Sequence, residues 1–156
     1  MATTEFPHPA KAPAPVPCLV FRIARSTPAT VRDLRHLARH TAQQWAIPEG
    51  PCHSLALVVS ELVTNVVLHS TSPDVALLIT FDNFALTVEV IDNGQRLEDD
   101  AGFSAMEQHA SFGRGLDLVR ACTDWHTIQR TTAGTRVTAH IPVTSREPGR
   151  LPQTGA

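Results

Sequence analysis

Ser54-Leu-Ala-Leu-Val-Val-Ser-Glu-Leu-Val-Thr-Asn-Val-Val-Leu-His-Ser70 is apolar at almost every position, yet it carries Glu61, Asn65 and His69. Its length and aliphatic content predict a single helix, and a helix apolar nearly all round is buried. A helix turns by about 100° and rises by about 1.5 Å per residue, so residues 61, 65 and 69 share one narrow stripe, spaced about 6 Å apart. Leu55, Val58, Val59, Leu62, Val63, Val66 and Val67 surround that stripe with hydrocarbon. A buried ionisable group must be paired, hydrogen-bonded or metal-bound. The stripe is therefore either a satisfied structural network or the wall of a ligand site. The helix alone does not choose between them.

The 156 residues fit one domain, and 42% hydrophobic against 18% charged residues can fill a core. Net charge is −2, with no long run of lysine or arginine. That argues against direct nucleic-acid binding and against an anionic membrane surface. The three cysteines, Cys18, Cys52 and Cys122, are widely spaced, without a C-x-x-C pair. They read as reduced thiols in a cytoplasmic protein, neither a zinc site nor a disulfide framework. No signal peptide is expected, and no segment reaches the roughly 18 uninterrupted apolar residues of a membrane span. The eight histidines show no H-E-x-x-H spacing.

Residues 1–17 hold Pro7, Pro9, Pro13, Pro15 and Pro17, and residues 145–156 hold Pro148, Gly149 and Pro152. Both read as disordered tails, leaving 18–144 as the folded unit. Leu19, Phe21 and Ile23 alternate with Val20, Arg22 and Ala24, a strand with one face more buried. Ser26-Thr27-Pro28 offers a helix start. Val31, Leu34, Leu37, Ala38 and Trp45 then recur at helical spacing, opposite Arg32, Asp33, Arg35, Arg39 and Gln43. Pro48, Gly50 and Pro51 are expected to break the chain before the central helix.

Beyond that helix, 75–81 and 86–91 predict two strands joined by a short turn at Asp82-Asn83, an antiparallel hairpin. Asp92-Asn93-Gly94 closes the second strand. Residues 95–112 are polar, with Glu98, Asp99, Asp100 and Gly102, and are long enough to predict a mobile lid. Gly113-Arg114-Gly115 opens a short apolar helix through 116–122. Strands near 125–130 and 136–143 follow, joined across Gly134. This order predicts an α+β fold with helices on one sheet face.

Taken singly, the remaining polar signals are weak. A carboxylate such as Asp92 at a strand end is most often a turn residue. Gly113-x-Gly115 at a helix start suits phosphate, because free N–H groups point outward there. It is, however, neither a dinucleotide fingerprint nor a G-x-x-x-x-G-K-[ST] loop. Gly134-Thr135 reads by default as a hairpin turn.

Together they are specific. Glu61-x-x-x-Asn65-x-x-x-His69, Asp92-x-Gly94, Gly113-x-Gly115-Leu116 and Gly134-Thr135 stand in this order with strands and a lid between. The arrangement resembles the Bergerat-fold ATP-binding domain of the GHKL superfamily, shared by gyrase, histidine kinases and a class of chaperones. Within it, Ser60-Glu-Leu-Val-Thr-Asn-Val-Val-Leu-His69 is similar to the first box of the bacterial anti-sigma-factor serine/threonine kinases. The resemblance spans about residues 18–143. It implies a two-layer α/β sandwich with a mixed, mostly antiparallel sheet.

The same resemblance implies roles. Asn65 would hold Mg²⁺, which takes few protein ligands and completes its octahedron with water and phosphate oxygens. Glu61 would accept the proton of an attacking hydroxyl or orient a metal-bound water. His69 would lie towards the phosphates, with a core hydrogen bond as the competing reading. Asp92 would accept from the adenine amine, Gly94 would admit the base to the backbone, and Thr135 would help fix the adenine-side water network. Backbone N–H groups from Gly113 to Leu116 would meet phosphate, with Arg114 adding charge. Three features depart from the pattern: a lid poor in lysine, Val66 where alanine is common, and the proline-rich N-terminal tail.

The implied function is a cytoplasmic regulatory kinase. It would bind a sigma factor and use Mg-ATP to phosphorylate a serine or threonine of an anti-sigma-factor antagonist; a homodimer is compatible with this. The alternative is a nucleotide-gated protein-binding module with little or no phosphotransfer. A detached histidine-kinase catalytic domain fits less well, because one amphipathic helix precedes the central one where such kinases use a two-helix dimerisation hairpin.

Overall fold

The computed structural model describes residues 17–95 and 113–143. The two tails, apart from Pro17, and the expected lid, apart from Gln95, lie outside the described residues. In chain order the elements are β1 (Cys18–Arg25), α1 (Pro28–Gln44), α2 (Glu49–His69), β2 (Asp74–Phe81), β3 (Ala85–Asp92), α3 (Gly113–Cys122), β4 (Trp125–Thr131) and β5 (Gly134–Pro142). The strands form one sheet in the order β1-β2-β3-β5-β4. Every described pairing is antiparallel.

The α+β two-layer architecture follows from which side chains each element buries. Successive strand residues point to opposite faces. Val75, Leu77 and Ile79 of β2, Leu86, Val88 and Val90 of β3, and Ala139 and Ile141 of β5 meet Leu55, Val58, Val59, Leu62 and Val63 of α2 in one core. Fully burying such a side chain stabilises the fold by roughly 1.5–3 kcal/mol. α1 packs along α2 through Leu34, Ala38 and Ala42, three positions at helical spacing. Among the described residues α2 alone is long and apolar enough to cross a membrane. Here that hydrocarbon is spent on α1, α3 and the sheet.

α2 begins at Glu49, five residues before the expected start. Pro48 is its N-cap, and the first helical bond runs from the Cys52 N–H to the Pro48 carbonyl at 3.0 Å. Gly50 and Pro51 therefore fall in the first turn. N–H groups there have no intrahelical acceptor, so the proline loses nothing. What reads as a break in the sequence is the helix start.

The alternation in β1 also resolves in an unforeseen direction. Val20, Arg22 and Ala24 pair with Ile79, Leu77 and Val75 on the helix side. Leu19, Phe21 and Ile23 take the other face and are 53–61% exposed. Alternation gives the period of a strand, whereas pairing register decides which face is buried.

Candidate functional site

Three segments meet where α2 ends. Ser70 leaves the helix in extended conformation, and its N–H closes the last helical bond onto Val66 at 3.0 Å. Residues 70–72 then run beside 93–95. The Thr71 N–H donates to the Gln95 carbonyl at 2.9 Å. In return the Gln95 N–H donates to Thr71 Oγ1 at 2.8 Å, and the Asn93 N–H donates to Ser72 Oγ at 3.2 Å.

Asp92 sits at the centre of this junction, 3% exposed. Its Oδ1 accepts the Ser70 hydroxyl at 2.8 Å and the Gly94 N–H at 3.0 Å. Such pairing is what allows a carboxylate to be buried at all. Opposite Asp92 in the sheet stands Thr135, also buried. Gly134 beside it has φ +136°, and a Cβ there would run into the Asp92 carbonyl and lie 2.8 Å from Asn93 Cα. Only glycine takes that backbone conformation readily. At Gly94 the corresponding space is filled by the Ser70 hydroxyl and the Ser72 N–H. The described geometry thus uses this glycine for the protein's own packing.

Glu61, Asn65 and His69 are each half-buried along α2. Gly115, in the first turn of α3, lies against the Glu61 carboxylate, whose Oε2 would be 2.6 Å from a Cβ at residue 115. Negative charge is favoured near a helix N-terminus, and the missing side chain lets it come close. His69 is engaged in an interaction of its own. Among the described residues, no hydrogen bond or ion pair engages the side chain of Glu61 or Asn65. Leu116 is buried beside Val119 in the core, which anchors α3 and fixes where its first turn sits. Gly113 opens that helix, and the Arg114 side chain lies outside the described residues.

These groups suit a magnesium nucleotide better than a protein-caged metal. Among the described residues no cluster of three or more His, Cys, Asp or Glu side chains is placed to hold an ion. Mg²⁺ takes few protein ligands and leaves most of its octahedron to phosphates and waters, and Asn65 offers one carboxamide oxygen for it, one turn from the Glu61 carboxylate. An open cleft of about 200 Å³ adjoins Asp92 and Thr135, lined by Ile91, Gln129 and Arg136 among others. Those three side chains belong to the sheet face away from the helices, so this cleft is not where Glu61 and Asn65 lie.

The sequence reading overlooked Ser70, Thr71 and Ser72. Their signal was a run of three hydroxyl residues directly after the helix, which passes for an ordinary helix exit.

A family model described as "Histidine kinase-like ATPase domain" matches residues 24–141. No curated protein matches the sequence. Among solved structures, the RsbU and RsbW domains of Rv1364c from Mycobacterium tuberculosis superpose with a TM-score of 0.59 at 19% identity, over 80% of this chain and 32% of that one. The histidine kinase domain of a blue-light activated kinase from Erythrobacter litoralis gives a TM-score of 0.40 at 19% identity, over 74% of this chain and 60% of that one. The chain thus spans about a third of the first structure and under two thirds of the second. The first likeness is one of fold.

Proposed function

Since the chain belongs to the histidine kinase-like ATPase domain family, we propose that it is an ATP-binding regulatory protein, an anti-sigma factor that phosphorylates a serine or threonine of its antagonist in the cytoplasm. The observation that carries this reading is the pairing of Glu61 and Asn65. Both are half-buried on one face of the core helix, and neither is used by the protein's own hydrogen bonds among the described residues. A ligand can claim both. The resemblance of Ser60–His69 to the first box of the anti-sigma-factor kinases supplies the branch, and the RsbW-containing neighbour supports the fold.

In this reading Asn65 holds Mg²⁺, which supplies charge neutralisation for the phosphates. Asp92 and Thr135 take the adenine end. The first turn of α3, from Gly113 to Leu116, turns its free N–H groups to phosphate, with Arg114 adding charge. On this proposal Glu61 accepts the proton of the antagonist's hydroxyl as that oxygen bonds to the γ-phosphorus and the bond to the β–γ bridging oxygen breaks. Such assistance contributes about a hundred- to ten-thousand-fold in rate.

One observation favours a second reading. The Glu61 carboxylate packs on the first turn of α3, which a purely structural group would also do. The chain would then be a nucleotide-gated binding module without phosphotransfer. Glu61→Ala separates the two. The kinase reading expects nucleotide affinity within a few-fold of wild type but phosphate transfer to the co-purified antagonist reduced at least a hundredfold, by the magnitude of general-base assistance. Unchanged transfer would remove Glu61 from the reaction, and joint loss of binding and transfer would mark it as structural.

A further inference from the structure

We propose that Ser70 is the positioning residue for the base-recognising carboxylate, holding Asp92 so that one oxygen alone faces the nucleotide. The proposal rests on the reading of Asp92 as the adenine acceptor and adds a residue which that reading does not contain. A serine hydroxyl has a single proton. Ser70 Oγ already accepts the Ser72 N–H at 3.1 Å, so its proton is committed to Asp92 Oδ1, 2.8 Å away. The Gly94 N–H reaches the same oxygen at 3.0 Å. Two donors thus converge on Oδ1, while among the described residues none reaches Oδ2.

The terminal torsion of an aspartate is soft and nearly two-fold. Without the clamp the carboxylate is free to tilt. With it, Oδ2 is presented in one direction as a pure acceptor, which suits an amine and repels a carbonyl. A site built this way discriminates strongly against the analogue with the wrong group.

Gly94 provides an independent observation. A Cβ at residue 94 would overlap the Ser70 hydroxyl and the Ser72 N–H. The glycine of Asp92-x-Gly94 is therefore what admits the serine to the carboxylate. Ser70 is also the C-cap of α2, the helix that carries Asn65. The clamp ties the adenine end of the site to its metal end.

The test is calorimetric titration of the full chain with Mg-ATP and with Mg-GTP, for wild type, Ser70→Ala, Ser70→Thr and Ser70→Val. Threonine and valine match in shape and differ in the hydroxyl, so any steric cost in this buried position is common to both. Ser70→Thr should retain the wild-type preference for ATP. Ser70→Val and Ser70→Ala should lose about tenfold of it, the scale of one hydrogen bond to a charged group. Equal preference in the threonine and valine variants would overturn the proposal, as would an alanine variant with the wild-type ratio. If neither bulkier variant folds, the alanine ratio decides alone. A wild type that binds neither nucleotide would overturn the reading of Asp92, and the clamp's role with it. That result is distinct from nucleotide binding insensitive to Ser70.

Discussion

Glu61 of α2 and Gly115 of α3 interlock: the carboxylate Oε2 sits 2.6 Å from where any side chain at residue 115 would begin. Glutamate's far end is flexible, so a methyl group there would displace the carboxylate before it displaced the helix. Gly115→Ala should therefore leave the fold nearly as stable as wild type, because alanine is favoured over glycine in helices by about 1 kcal/mol. Phosphate transfer should fall at least about tenfold through the misplaced base. Thermal unfolding beside a transfer assay checks both. Full transfer with a displaced carboxylate would count against Glu61 as the base.

Gly134→Ala should be far more damaging than Gly115→Ala. At φ +136° a side chain is strained whatever the space, and here the Asp92 backbone already fills it. A loss of at least about 2 kcal/mol is expected in urea unfolding, with nucleotide affinity falling as Asp92 shifts. A variant as stable as wild type would contradict the close β3–β5 approach.

Val66 tests whether its departure from the commoner alanine matters to the core. It is 5% exposed, so Val66→Ala removes two buried methyl groups at a cost of roughly 1–3 kcal/mol. Nucleotide affinity should not change, since Val66 faces the core and not the stripe. Chemical denaturation and a binding titration read the two effects separately.

Asp82 ties the β2–β3 turn, accepting the N–H groups of Phe84 at 2.9 Å and Ala85 at 2.8 Å. Those bonds, the Phe84 one foremost, hold its carboxyl below the ordinary value of 3.8. A depressed folded value means stability that is present above the unfolded value and lost as pH falls through the folded one. Asp82→Ala should therefore melt below wild type at neutral pH. The gap should close as pH drops below about 4, the range where an aspartate titrates. Parallel melting curves at all pH values would contradict the turn's role.

How much of this was legible depended on whether the signal was local. The α2 stripe, the Asp92-x-Gly94 turn and the succession of strands and helices along the chain follow from periodicity and punctuation within short windows. The start of α2 was misplaced because Pro48, Gly50 and Pro51 look alike as breakers, although proline costs nothing in a first turn. The exposed face of β1 depended on its register with β2, which is a tertiary fact. The Ser70–Asp92 bond joins residues 22 apart in sequence, and a serine after a helix carries no mark of its distant partner.

The central claim is that α2 and β3 together form a magnesium- and adenine-dependent nucleotide site, and calorimetry of the wild-type chain tests it most directly. Titrations with ATP in the presence of Mg²⁺, with ATP and a chelator, and with GTP and Mg²⁺ should give by far the tightest binding in the first. Asn65→Ala should weaken that binding by about tenfold or more, the scale of a lost bond to a charged group. Equal affinity for ATP and GTP, or binding indifferent to magnesium and to Asn65, would contradict the account.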